Sequence, residues 1–176
     1  MQAAADTGQL WRLTLQHSPV GMALVSLEGG FMAVNDALCD LLGRGHDDLT
    51  ALSFQELTHP DDLEVDLHLL EETLAGARTS YRMRKRYLHA AGHVVWGDLS
   101  VALVRDEGGE PLHLISQVLD VTQQQQYESR LAEAAALIDH QRRLNDAIFE
   151  AVDVGLVLHD RDGHYRKVNR QHRHFQ

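Results

Sequence analysis

The chain has 176 residues, of which 44% are hydrophobic, and its 16 basic and 26 acidic side chains give a formal net charge of −10. That length suits one domain with appendages, and the acidic balance argues against a nucleic-acid partner, whose phosphates it would repel. Cys39 is the single cysteine, which excludes an internal disulfide. The opening MQAAADTGQLW has no basic or apolar signal region, and no stretch reaches the roughly 18 apolar residues of a membrane span, so a cytoplasmic chain is expected.

Leu10, Trp11, Leu13 and Leu15 predict a short N-terminal helix within residues 1–17, ended at Ser18-Pro19 because the residue before proline disfavours helix. Gly21 to Ser26 reads as a strand, Leu27 to Gly30 as a turn, and Phe31 to Val34 as the returning strand of a hairpin. Asn35 is a suitable N-cap for a helix over Ala37 to Leu42, which Gly43 closes. Short helical pieces follow from Asp47 to Thr58. His59-Pro60-Asp61-Asp62 opens a longer helix whose Leu63, Leu67, Leu70 and Leu74 form one apolar stripe. Tyr81, Met83 and Tyr87 alternate with Arg82, Arg84 and Arg86, and the run containing Arg82, Arg84, Lys85 and Arg86 is expected to be a solvated strand face. Val94 to Arg105 and Leu112 to Val121 complete three strands joined by turns at Ala91-Gly92 and Asp106 to Glu110. Two strands, a group of helices and three hairpin-linked strands define an α+β fold with a five-stranded antiparallel sheet and helices on one face.

From Thr122 to about Val152 proline and glycine vanish, and Gln, Ala, Glu and Arg dominate. Tyr127, Leu131, Ala134 and Ile138 form a seam of period 3.5, and Leu144, Ile148 and Ala151 form a second one, offset by one position. A helix of about 28 residues would span about 42 Å and gains stability by pairing, most simply with its own copy. The offset predicts a phase shift in the coil near His140.

The chain also repeats itself. VGMALVSLEGGFMAVN at residues 20–35 returns as VGLVLHDRDGHYRKVN at residues 154–169, 134 residues later and without a gap. Val20, Gly21, Leu24, Gly29, Val34 and Asn35 recur as Val154, Gly155, Leu158, Gly163, Val168 and Asn169. A fixed period marks repeated structural units. The organisation expected is an N-terminal helix at 1–17, a domain at 18–122, a signalling helix at 123–151 and the start of a second domain at 152–176. That last piece is too short to bury its apolar face alone and is expected to be disordered, or to pack on the connector helix or a neighbouring chain.

The segments SPVGMALVSLEGGFMAVNDALCDLLG, FQELTHPDDL, YRMRKRYLHAAGHVVW and LHLISQVLDVT, in this order, make residues 18–122 similar to the PAS sensory domain. Residues 152–176 resemble the start of a second one, as in bacterial sensor histidine kinases. The resemblance implies a PAS fold with a central space between sheet and helices, where a small-molecule ligand can bind; Leu67, Leu70, Met83 and Val118 are the candidate lining. Asp120-Val121-Thr122 matches the motif that joins the last strand to an output helix, so these three residues are the expected signal relay. Asp120 is placed to accept backbone N–H bonds at the helix start, with Thr122 as a further cap. The implied function is sensing and signal relay in a bacterial signal-transduction protein, first of all a two-component sensor histidine kinase. The alternatives are an input module of a diguanylate cyclase or phosphodiesterase, and a ligand-free dimerisation scaffold. A homodimer through the N-terminal helix and residues 123–151 is the expected assembly.

Cofactor and catalytic readings fare less well. Light-sensing flavin relatives carry a reactive cysteine where this chain has Phe54, and a glutamine where it has Val118; Gln117 should point to the opposite face, and Cys39 reads as a small core residue. A haem would need a histidine facing the core, but His68 groups with Glu64 and Glu72 away from the leucine stripe, and His59 belongs to a local turn. His140, His159, His164, His172 and His174 lie late in the chain without a cysteine or acid cluster at ligand spacing, so no metal site is expected. No nucleophile elbow, phosphate loop or zinc-protease motif is present, and His140 lacks the flanks of a phosphoacceptor box, so no catalytic residue is expected.

Overall fold

The computed structural model describes residues 13–152, 154 and 156–169, which fall into two compact units, Met1–Gln125 and Gln126–Gln176. In the first unit a helical turn at residues 13–16 precedes β1 (Gly21–Val25) and β2 (Phe31–Val34). Four helices follow: α1 (Asp36–Leu42), α2 (His46–Thr50), α3 (Phe54–Leu57) and α4 (Pro60–Leu74). The unit closes with β3 (Ser80–Leu88), β4 (Val94–Arg105) and β5 (Pro111–Asp120). The strands form one antiparallel sheet in the order β2-β1-β5-β4-β3. First and last strands thus pair in its interior, and the chain leaves the sheet beside the strand by which it entered.

Local chemistry sets the element ends. Asn35 accepts from the Leu38 N–H at 3.0 Å to cap α1, and Gly43, at φ +66°, ends it in the left-handed region that a Cβ disfavours. Ser53 and Glu56 form a capping box on α3, and Pro60 stands in the first turn of α4, where its missing N–H is no loss. Ala23, Val25, Leu99, Val101, Leu114 and Val118 of the sheet pack against Leu38, Leu42, Leu49, Phe54, Leu57 and Leu70 of the helices. At Gly97 a Cβ would sit 2.6 Å from the Tyr87 ring and 2.7 Å from Val118, so glycine lets the Tyr87 ring lie across β4. The α+β sheet with helices on one face is the architecture expected, and strand and helix ends fall within about two residues of the sequence reading.

One element crosses the boundary between the units: α5 (Thr122–Ala151), a continuous helix with no buried residue. Among the described residues, no helix is long and apolar enough to cross a membrane. The second unit adds a hairpin of β6 (Val157–His159) and β7 (Tyr165–Val168). Its register, Val157 with Val168, Leu158 with Lys167 and His159 with Tyr165, repeats that of β1 and β2, Ala23 with Val34, Leu24 with Ala33 and Val25 with Phe31. Both include a bulge at the same step. Gly163 adopts φ +84° where Gly29 adopts φ +99°. The repeat is therefore structural as well as sequential. Within this unit Lys167 pairs with Asp146 and lies 5.3 Å from the Phe149 ring centroid, so the hairpin meets α5, one of the three arrangements expected for it. The N-terminal residues 1–12 and residues 170–176 lie outside the described residues.

Candidate functional site

Between sheet and helices lies a small cavity bordered by Phe31, Leu38, Phe54, Leu70, Leu99 and Val118, and also by Asp66, Tyr81, Lys85 and Ser116. Its free space is about 30 Å³. That holds a water-sized guest, whereas pockets for larger ligands run to about 300–1,000 Å³. Of the four predicted lining residues, Leu70 and Val118 border the cavity; Leu67 and Met83 are partly buried and pack against the core beside it.

The polar wall is the unexpected feature. Lys85 is 1% exposed and Asp66 0%. The Lys85 ammonium donates to Asp66 Oδ2 at 2.5 Å and to Thr58 Oγ1 at 2.8 Å, and the Tyr81 hydroxyl donates to Asp66 Oδ1 at 2.8 Å. The Tyr87 and Phe54 ring centroids stand 4.6 and 5.1 Å from the ammonium. Charges are buried only when paired and hydrogen-bonded, and here each charged group has two partners or more. Burial pulls the Lys85 pKa below the ordinary lysine value, against the opposing pull of the Asp66 carboxylate; burial, then the Asp66 charge, pushes the Tyr81 phenol up. This corrects the expectation that Lys85 belongs to the solvated basic face. Arg82 and Arg84 face solvent, but Lys85 shares the inward face with Tyr81, Met83 and Tyr87. The alternation that places those three inward places Lys85 there too. Asp66 likewise falls inside the leucine stripe of α4, one turn before Leu70.

The second region is the exit from the sheet. Val121 is buried, and its N–H donates to the Trp96 carbonyl at 2.9 Å. The Trp96 N–H donates to Thr122 Oγ1 at 3.0 Å, and Asp120 Oδ1 accepts from the Thr122 N–H at 2.8 Å. Arg84 Nη1 donates to Gln125 Oε1 at 2.8 Å. Asp120 thus meets the helix start as expected, whereas the Thr122 hydroxyl ties that start to β4. Upstream, Arg86 stands opposite Trp96 in the ladder with its guanidinium 5.6 Å from the indole, and donates to both oxygens of Asp62 at 2.7–3.0 Å. A connected set of contacts therefore runs from α4 through β3 and β4 to the first turn of α5.

The other candidates sit elsewhere. His68 is exposed, and His59 Nδ1 accepts from the Asp61 N–H at the start of α4. Cys39 is buried in the core; Val118 faces the helices, and Gln117 faces away. Asp160, Asp162 and His164 bring ligand-type atoms within 4.8 Å of one another in the β6–β7 turn. There Asp160 Oδ1 already accepts from the N–H groups of Asp162 and His164, as an acid does in a tight turn.

Comparison with known proteins agrees with this architecture. A family model described as PAS fold matches residues 31–118. A PAS domain of a protein from Colwellia psychrerythraea superposes with a TM-score of 0.61 at 16% identity, covering 65% of this chain and 97% of that one. The chain belongs to the PAS family, and its PAS domain is a non-catalytic sensory module. It is 42% identical over 113 residues to a probable diguanylate cyclase, DgcE, of Escherichia coli strain K12, covering 64% of this chain and 10% of that protein. It is 26% identical over 121 residues to the sensor histidine kinase TmoS of Ectopseudomonas mendocina, covering 69% and 12%. The chain thus spans about a tenth of the length of these curated relatives.

Proposed function

We propose that this chain is a sensory input and relay segment of a bacterial signalling protein whose output is a diguanylate cyclase. The PAS domain at residues 18–122 receives a signal in its core, α5 carries it, and residues 152–176 begin a second PAS domain. The observation that carries the relay reading is the junction: β5 runs straight into α5, Asp120 at the end of β5 accepts from the Thr122 N–H, and the Thr122 hydroxyl ties the first turn to Trp96 of β4. A change in the twist of the sheet then becomes a rotation or register change of the helix. The repeated hairpin register supports the second PAS domain. The exposed seam of α5 supports pairing with a second copy. The 42% identity to a probable cyclase favours that output over the histidine kinase expected first, where the identity is 26%.

Asp120→Ala in the full-length protein tests the relay. It should abolish the signal-dependent change in output while the PAS core melts within about 1–2 °C of the parent, because it removes one exposed hydrogen bond. Output that still follows the signal sinks the relay reading. Conversion of GTP to a cyclic dinucleotide supports the cyclase; ATP-dependent histidine phosphorylation reverses that choice.

A further inference from the structure

The two hairpins share a buried asparagine as well as a register. Asn35 Oδ1 accepts from the Met22 N–H at 2.8 Å, and its Nδ2 donates to the carbonyls of Val20 at 2.9 Å and Ser18 at 3.4 Å. In the second unit Asn169 Oδ1 accepts from the Leu156 N–H at 2.9 Å, and its Nδ2 donates to the carbonyls of Val154 at 2.9 Å and Val152 at 3.3 Å. The backbone bond from Asn35 N to the Met22 carbonyl also recurs, from Asn169 N to Leu156. Asn35 is 1% exposed and Asn169 0%.

Besides the Leu38 N–H of α1, the groups these side chains satisfy run from the helix end to the start of the hairpin, Ser18, Val20 and Met22 in one unit and Val152, Val154 and Leu156 in the other. In the first unit Asn35 Nδ2 also donates to the Leu15 carbonyl at 3.1 Å, within the helical turn at residues 13–16. The repeat places that turn in register with residues 147–150, the last turn of α5. Both hairpins are thus entered from a helix, and both hold the joint by the same amide. The second copy adds the Lys167 contacts with Asp146 and Phe149, at a position where the first has Ala33.

We infer that Asn35 and Asn169 are latches that fasten an incoming helix to the hairpin of the module it enters, and that Asn169 is the positioning residue through which α5 passes its motion on. The latch stands on the geometry alone; the passing of motion rests on the relay reading above.

Residue-resolved amide hydrogen exchange on the 176-residue chain tests the latch, with Asn169→Ala and Asn169→Asp beside the parent. Alanine removes both functions of the amide. Aspartate keeps an acceptor for the Leu156 N–H but turns an oxygen toward the carbonyls of Val152 and Val154. The Leu156 amide should exchange about tenfold faster in Asn169→Ala and stay protected in Asn169→Asp, while residues 147–152 lose protection in both. The Met22 amide, held by Asn35, should not change. Unaltered protection of residues 147–152 in both variants overturns the latch, as does equal loosening at Met22. In the full-length protein, Asn169→Ala should also abolish the signal-dependent change in output. If residues 147–152 loosen while output still follows the signal, the latch stands and the passing of motion falls.

Discussion

Lys85 and Asp66 set the sharpest question at the scale of single residues. A charged pair in a nearly dry core contributes little by existing but a great deal by not being broken. Removing the carboxylate leaves an ammonium facing Thr58 and two aromatic rings. Asp66→Ala should therefore lose about 3–5 kcal/mol of stability in urea denaturation. The loss should also depend on pH. Without Asp66 the folded-state pKa of Lys85 falls further below its unfolded value of about 10.4, so the folded chain binds the proton less readily than the unfolded one. Stability of the variant should then rise with pH between those two values, as the unfolded chain gives up the proton that folding would expel. Replacing both members by apolar residues, Asp66→Leu with Lys85→Met, should recover most of the loss. A double variant as unstable as the single one would show that the site is governed by shape and not by charge.

At the scale of elements, α4 is clamped to β3 by Asp62 and Arg86. The Arg86 hydrogen bonds hold the Asp62 carboxyl below the usual carboxylate range, as those of Arg82 do for Asp98. A carboxyl depressed by folding contributes fully above its unfolded value, about 3.9, and the contribution disappears as pH falls through the lower folded value. Thermal unfolding between pH 6 and pH 3 should show this as a falling midpoint, with a shallower fall in Asp62→Asn, where the parts of Asp98 and of Glu56, held low by its hydrogen bonds with Ser53, remain. Identical slopes would remove the clamp from the acid response. The order and ends of these elements were legible in the sequence because alternation, turn glycines and caps each act within a few residues. The cavity was less so. Leu70 and Val118 carried an apolar signal that pointed to it, but Lys85 and Asp66 lie 19 residues apart and become legible only together. A charge in a run of arginines reads as solvated until the carboxylate that neutralises it is known. Thr122 misled for the same reason: its hydroxyl serves Trp96, 26 residues away, rather than its own helix.

The whole molecule turns on what covers α5. Tyr127, Leu131, Ile138, Leu144 and Ile148 of this 30-residue helix are 47–71% exposed, and so is Leu137, which the two predicted seams left out. Leu137 stands one heptad before Leu144, so the second stripe begins there, beside Ile138 at the end of the first. Most of the stability of a helix in a protein comes from packing its apolar face. Burying such side chains at about 25 cal/mol per Å² offers the stabilisation that a second copy can supply. Light scattering at micromolar concentration should therefore give the mass of a dimer. Leu131→Asp with Ile138→Asp should give the monomer and a lower helical signal, and the PAS core should melt as in the parent, since both residues are exposed on α5. Leu144→Asp with Ile148→Asp should weaken the dimer as well if both seams pair, whereas pairing through the first seam alone leaves its mass unchanged. A parent chain that is monomeric at these concentrations would remove pairing from the relay, leaving α5 to act as a single lever between two modules.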